Sequence, residues 1–187
     1  MRLLAISGSL RADSHNTRLL RIAAEEAPAG VDVQIWDGLA SIPPYDTDTD
    51  TGTGPEPVRQ LRELISEADG LLFATPEYNS SIPGVLKNAI DWASRPRATT
   101  ALAGKPAAVM GATTGRFGAV WAQAELRKVL GSTGARVVDG ELALALADDV
   151  FDEAGALSDP STRQSLHALL DAVIAEAERD HELALAP

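Results

Sequence analysis

The feature that most restricts the fold is a repeated switch in hydrophobic period. Three short runs, Leu3 to Ser7 (LLAIS), Gly70 to Thr75 (GLLFAT) and Pro106 to Met110 (PAAVM), are almost wholly apolar and too short for helices. A strand with no polar face must be covered on both sides. Each run opens into a loop rich in Gly, Pro, Ser, Thr or Asn, and each loop gives way to apolar residues at helical spacing.

The remaining segments fit the same alternation. Leu19, Leu20, Ile22 and Ala23 begin a first helix, and Val31 to Trp36 (VDVQIW) alternates as a strand after a turn marked by Pro28 and Gly30. Asp37 to Pro57 is rich in Pro, Asp, Thr and Gly without periodicity and reads as a long surface loop. Its DTDTDTG lacks the spacing and the distal glutamate of a calcium loop. Val58, Leu61, Leu64, Ile65 and Ala68 predict a second helix, and Gly84 to Ser94 a third. The apolar band of that third helix is wider than one core face needs, and the surplus suits a second subunit. Arg95 to Lys105 is a basic, irregular connection. A fourth helix is expected from Ala119 to Leu130, closed by Gly131. Arg136 to Val138 and Leu142 to Ala145 form a last strand interrupted near Gly140. A final helix over Pro160 to Glu182, capped by Asp159, turns Leu166, Leu169, Leu170, Val173 and Ile174 inward.

Strand and helix alternate about five times, with crossovers long enough to make neighbouring strands parallel. The expected fold is α/β: a doubly wound, five-stranded parallel sheet with helices on both faces. The 187 residues suit one domain over 1–187. In such a sheet ligands bind beyond the carboxyl ends of the strands, where strand order reverses. The loops Gly8 to Thr17, Pro76 to Ser81 and Gly111 to Gly118 all follow strands and are expected around one ligand.

The first loop brings together Ser9, Arg11, Ser14, Asn16 and Thr17 just ahead of a helix. Hydroxyls, a forked cation and the free N–H groups of a helix N-terminus suit a phosphate. There is no second glycine at GxGxxG spacing and no Gly-Lys-Ser/Thr ending, so a terminal monophosphate fits better than a pyrophosphate or triphosphate. The same residues are also consistent with an ordinary strand-to-helix turn capped by Asn16.

Composition narrows the partners. With 27 Asp and Glu against 16 Lys and Arg, the net charge of -11 opposes binding to nucleic acid or to an anionic membrane. The chain has no cysteine, which removes disulfides and thiolate nucleophiles, and no set of metal ligands stands out. The start MRLLAISGS is too short and too weakly charged for a signal peptide, and no apolar run approaches about 18 residues. A cytoplasmic location is expected.

Three stretches carry a resemblance: GSLRADSHNT, ATPEYNSSIPGVLKNAIDW and LAGKPAAVMGATTGRFG. Together with VFDEAGALSD before the last helix, they resemble the NAD(P)H-dependent FMN reductase family, including its flavodoxin-like quinone and chromate reductases. PEYN followed by PGVLKNAIDW is the most specific part. The resemblance implies noncovalent FMN, with NAD(P)H as co-substrate and a quinone, a similar small-molecule electron acceptor or free flavin as oxidant. By position, Ser9, Arg11, Ser14, Asn16 and Thr17 would hold the phosphate, while Pro76, Glu77, Tyr78 and Asn79 would border the isoalloxazine ring. Thr113, Thr114, Gly115 and Arg116 would meet its remaining edge. Hydride chemistry would belong to the flavin, so no catalytic side chain is required. Relatives commonly work as homodimers or homotetramers with the ring near a subunit interface. His15, Trp121 and Ala124 depart from residues usual in the family. The alternative reading is a flavodoxin-type one-electron carrier without NAD(P)H turnover, since the fold serves both.

Overall fold

In a computed structural model the strands are β1 (Arg2–Ser7), β2 (Asp32–Trp36), β3 (Gly70–Thr75), β4 (Pro106–Ala112), β5 (Arg136–Val137) and β6 (Ala143–Leu144). The helices are α1 (His15–Glu25), α2 (Glu56–Glu67), α3 (Gly84–Ala93), α4 (Val120–Ser132) and α5 (Pro160–Leu185). The structure describes residues 1–185 other than 53 and 153. Thr53 of the expected surface loop, Glu153 of the VFDEAGALSD segment and residues 186–187 of the expected domain lie outside the described residues.

The strands run in the order β2-β1-β3-β4-β5, all parallel, and β6 pairs with the far end of β4. This is the flavodoxin-like order, whose reversal lies between β1 and β3. β5 and β6 together form the interrupted fifth strand, pairing with Pro106 and Ala107 and then with Gly111 and Ala112. Arg127 of α4 fills the interruption, its guanidinium donating to the carbonyls of Val138, Val109 and Gly140.

Period-two alternation divides the core. Leu4 and Ile6 of β1, Leu71 and Phe73 of β3, and Ala107 and Val109 of β4 face α2, α3 and α4. Leu3, Ala5, Leu72, Ala74, Ala108 and Met110 face α1 and α5. All of β3 and β4 is buried, as a two-sided cover demands.

Several local expectations shift for physical reasons. The segment after β2 is not wholly at the surface: a short 3-10 turn over Gly38–Ser41 buries Leu39, and Ile42 is buried beside it. This segment takes most of the apolar surplus of α3. Trp92 is fully buried and donates Nε1–H to the Pro43 carbonyl at 2.8 Å, and Asn88 also bonds there. Val85, 38% exposed, is what α3 leaves outward among its large apolar side chains.

Gly131 does not close α4, which continues to Ser132. Its stop is Gly134, at φ 92, whose N–H bonds to Gly131 while Ala135 bonds back to Leu130. That paired closure requires a left-handed residue, which only glycine adopts without strain.

Candidate functional site

β1 delivers Gly8 into the first loop directly beside the end of β3. The Gly8 N–H donates to the Ala74 carbonyl at 2.8 Å, and a Cβ there would stand 3.0 Å from Leu86 and 3.3 Å from Pro76. A larger residue at this exit would press on the Leu86 side chain and on the Pro76 ring that opens the second loop. The next residues fold on their own hydroxyls. Ser9 N–H and Thr17 Oγ1–H both donate to Ser7 Oγ, at 3.3 and 2.9 Å, and Arg11 N–H donates to Ser9 Oγ.

Ser14, not Asn16, caps α1: its Oγ accepts the Thr17 N–H at 3.3 Å. The capping role expected for Asn16 shifts because the helix starts two residues earlier, at His15. Asn16 instead turns inward and is 2% exposed. Its amide donates to the Ala112 carbonyl and accepts the Ala112 N–H, both at 2.9 Å. Arg11 is exposed and has no ion pair among the described residues, whereas Arg18 is paired with Asp13 at 3.0 Å. His15 stacks on Phe151 and bonds Asp148 at 3.0 Å, away from the loop donors.

The second loop is a tight turn. Tyr78 and Ser81 exchange backbone hydrogen bonds at 2.9 and 3.1 Å, and Asn79 and Ser80 between them have φ of 54 and 60. Positive φ at both central positions marks a type I′ turn, which Asn tolerates better than most residues. Tyr78 is left half-exposed, and the N–H groups of Glu77 and Asn79 have no partner among the described residues. Pro76 accepts a hydrogen bond from Thr75 at its carbonyl.

The third loop is pinned from β6. Thr113 N–H bonds Leu144, Leu146 N–H bonds Gly115, and Thr113 Oγ1 accepts the Gly115 N–H. Thr114, Gly115 and Arg116 are exposed. The Glu77 side chain crosses to this side and bonds the first turn of α4. Nothing in PEYN signals that contact, because its partner is backbone more than forty residues away.

The first and second loops therefore share one hollow. Gly8, Leu10, Arg11, Tyr78, Pro83 and Val85 line an open hollow of about 600 Å³, and the third loop follows the neighbouring strand β4. The first loop brings hydroxyls and a helix N-terminus, and the second brings backbone N–H groups without a partner among the described residues. This set fits an anionic tail joined to a planar head with carbonyl groups, and it fits FMN.

The sequence profile described as NADPH-dependent FMN reductase matches residues 1–149. The chain belongs to that family. It is similar to an NAD(P)H-dependent FMN reductase of Pseudomonas aeruginosa, at 42% identity over 92% of this chain and 93% of the relative. It is also similar to a 2-hydroxy-1,4-benzoquinone reductase of a Burkholderia species, at 36% identity over 91% and 93%. Among solved structures, the flavoenzyme NAD(P)H:(acceptor) oxidoreductase FerB of Paracoccus denitrificans superimposes with a TM-score of 0.82. It is 33% identical, over 95% of this chain and 97% of that one. As an FMN reductase family member, the chain is a flavin-dependent NAD(P)H oxidoreductase, not a flavodoxin-type carrier.

Proposed function

We propose that this chain holds FMN noncovalently across its three post-strand loops and uses it to reduce a quinone-class acceptor with NAD(P)H. The observation that carries the reading is the hollow shared by the first and second loops at the switch point between β1 and β3, lined by Gly8, Arg11 and Tyr78. The 2-hydroxy-1,4-benzoquinone reductase among its relatives supports the acceptor class.

When bound, FMN supplies the hydride relay between the nicotinamide and the acceptor. The protein supplies position. Arg11, the hydroxyls of Ser9 and Ser14, and the first-turn N–H groups of α1 hold the phosphate. Thr17 and Asn16 act one step back: Thr17 braces Ser7, and Asn16 fixes the helix start against β4. Pro76, Glu77, Tyr78 and Asn79 would border the ring, with the unpartnered Glu77 and Asn79 N–H groups available to its acceptor atoms. Thr113, Thr114, Gly115 and Arg116 border its other edge. Leu10, Tyr78 and Val85 wall the hollow with apolar surface and limit water at the reacting face.

The same reading takes the chain as one domain acting in a cytoplasmic homodimer or homotetramer. Leu10, Tyr78, Val85, Phe117 and Trp121 are large apolar side chains left exposed, a composition that suits association. Among the described residues no helix is long and apolar enough to cross a membrane.

The test is a fluorescence titration of apoprotein with FMN, followed by quinone-dependent NADPH and NADH oxidation and sedimentation velocity. Saturable FMN binding, turnover and a species larger than one chain are expected. No uptake of FMN would end the reading.

A further inference from the structure

We propose that Glu77 is a positioning residue, which sets the spacing between the second and third loops by capping α4 from outside its own chain segment. The inference rests on the flavin reading above.

Two N–H groups of the α4 first turn, Trp121 and Ala122, donate to the same Glu77 Oε2, each at 3.1 Å. These are groups that a helix cannot satisfy internally. The residue before the helix gives no help: Ala119 has a methyl side chain, sits at φ 60 and makes no capping bond. A carboxylate at a helix N-terminus also meets the positive end of the dipole. Glu77 thus does for α4 what Ser14 does for α1, but from the loop after the neighbouring strand β3.

The geometry makes this tie consequential. The last register pair of β3 and β4 is Thr75 with Gly111, and the strands part beyond it. Among the described residues no backbone hydrogen bond joins 76–82 to 113–119, and the Glu77 contacts are the hydrogen bonds linking the second loop to α4. From α4 the connection continues to the loop itself: buried Gln123 donates from Nε2 to the Gly118 carbonyl at 3.0 Å. The pinned third loop is therefore coupled to the Tyr78–Ser81 turn through one carboxylate. Its backbone leads into the Tyr78–Ser81 turn while its side chain holds the start of α4.

The experiment compares Glu77→Ala, Glu77→Gln and Glu77→Asp as apoproteins, by FMN titration and by amide hydrogen exchange. Glu77→Gln keeps an acceptor oxygen at the same reach without the charge, and Glu77→Asp keeps the charge but shortens the reach. Glu77→Ala is expected to weaken FMN binding roughly tenfold, the scale of a lost cap. It should also speed exchange at residues 113–122, leaving β1 and β3 protected. Glu77→Gln should stay within about threefold of wild type and keep that protection, while Glu77→Asp should resemble alanine. Wild-type affinity and protection in Glu77→Ala would overturn the proposal. So would a glutamine variant as weak as alanine beside an intact aspartate variant, which would mean that the charge acts on the ligand directly. If alanine at this position does not fold, the glutamine and aspartate pair still decides. Failure of the wild type to bind FMN would instead overturn the flavin reading.

Discussion

Asn16 and Ala112 are 96 residues apart and exchange two hydrogen bonds, Asn16 Nδ2 to the Ala112 carbonyl and Ala112 N–H to Asn16 Oδ1, both at 2.9 Å. One buried amide thereby locks the start of α1 to the end of β4. Asn16→Ala leaves a buried N–H and a buried carbonyl unpaired, so a loss of about 2–4 kcal/mol is expected. Urea denaturation of the apoprotein reads it as a lower midpoint. An unchanged midpoint would show that water replaces both bonds without penalty.

Arg11 and Arg18 are both near the start of α1, but Arg18 is already paired with Asp13. Arg11→Ala is expected to weaken FMN by about tenfold to a hundredfold, the scale of a charge-assisted contact to phosphate. Arg18→Ala should change it by less than about threefold. Riboflavin, which lacks the phosphate, should bind wild type and Arg11→Ala alike. Isothermal or fluorescence titration with both ligands separates these outcomes.

Gly118 ends the third loop at φ 59, and a Cβ there would lie 2.6 Å from the Ala143 carbonyl carbon. Gly118→Ala combines a left-handed backbone with a clash against fixed main chain. Destabilisation of about 3 kcal/mol is expected, with Ala143 and Leu144 losing exchange protection first. Gly84, where a Cβ would meet nothing within 4 Å, is the control.

Asp159 caps α5, accepting Thr162 N–H at 2.9 Å as well as the hydroxyls of Ser161 and Thr162. Those bonds hold its carboxyl down from 3.8 to about 2. The folded state therefore favours the carboxylate. The stabilisation is complete above the ordinary value and is lost as pH falls through about 2. Amide exchange at residues 161–163 should rise over that interval, and Asp159→Ala should show the raised exchange already at neutral pH.

Most of the architecture was legible because buried parallel strands leave wholly apolar runs, and GLLFAT and PAAVM became β3 and the body of β4. Even the break near Gly140 showed, since the chain loses apolar continuity there. The loop positions followed from topology. What did not show was which polar side chains face the hollow. Asn16 has the residue type of a phosphate ligand or a cap, yet its partner is a backbone group at the end of β4. Glu77 bonds α4 backbone, which no side-chain motif records. The buried half of the segment after β2 was hidden because Leu39 and Ile42 stand three apart among Gly, Ala, Ser and Pro, too short a pattern to show a period. Their burial depends on α3, not on any local period.

Hydride transfer through bound flavin can be watched by anaerobic mixing. FMN-loaded protein is mixed with NADPH, and separately with NADH, while flavin absorbance is followed, and benzoquinone is then added. Bleaching in a single two-electron step with at least one donor is expected, with full return of colour on addition of the quinone. Flavin that stays oxidised with both donors, yet stops at the one-electron level when titrated with dithionite, would contradict that transfer.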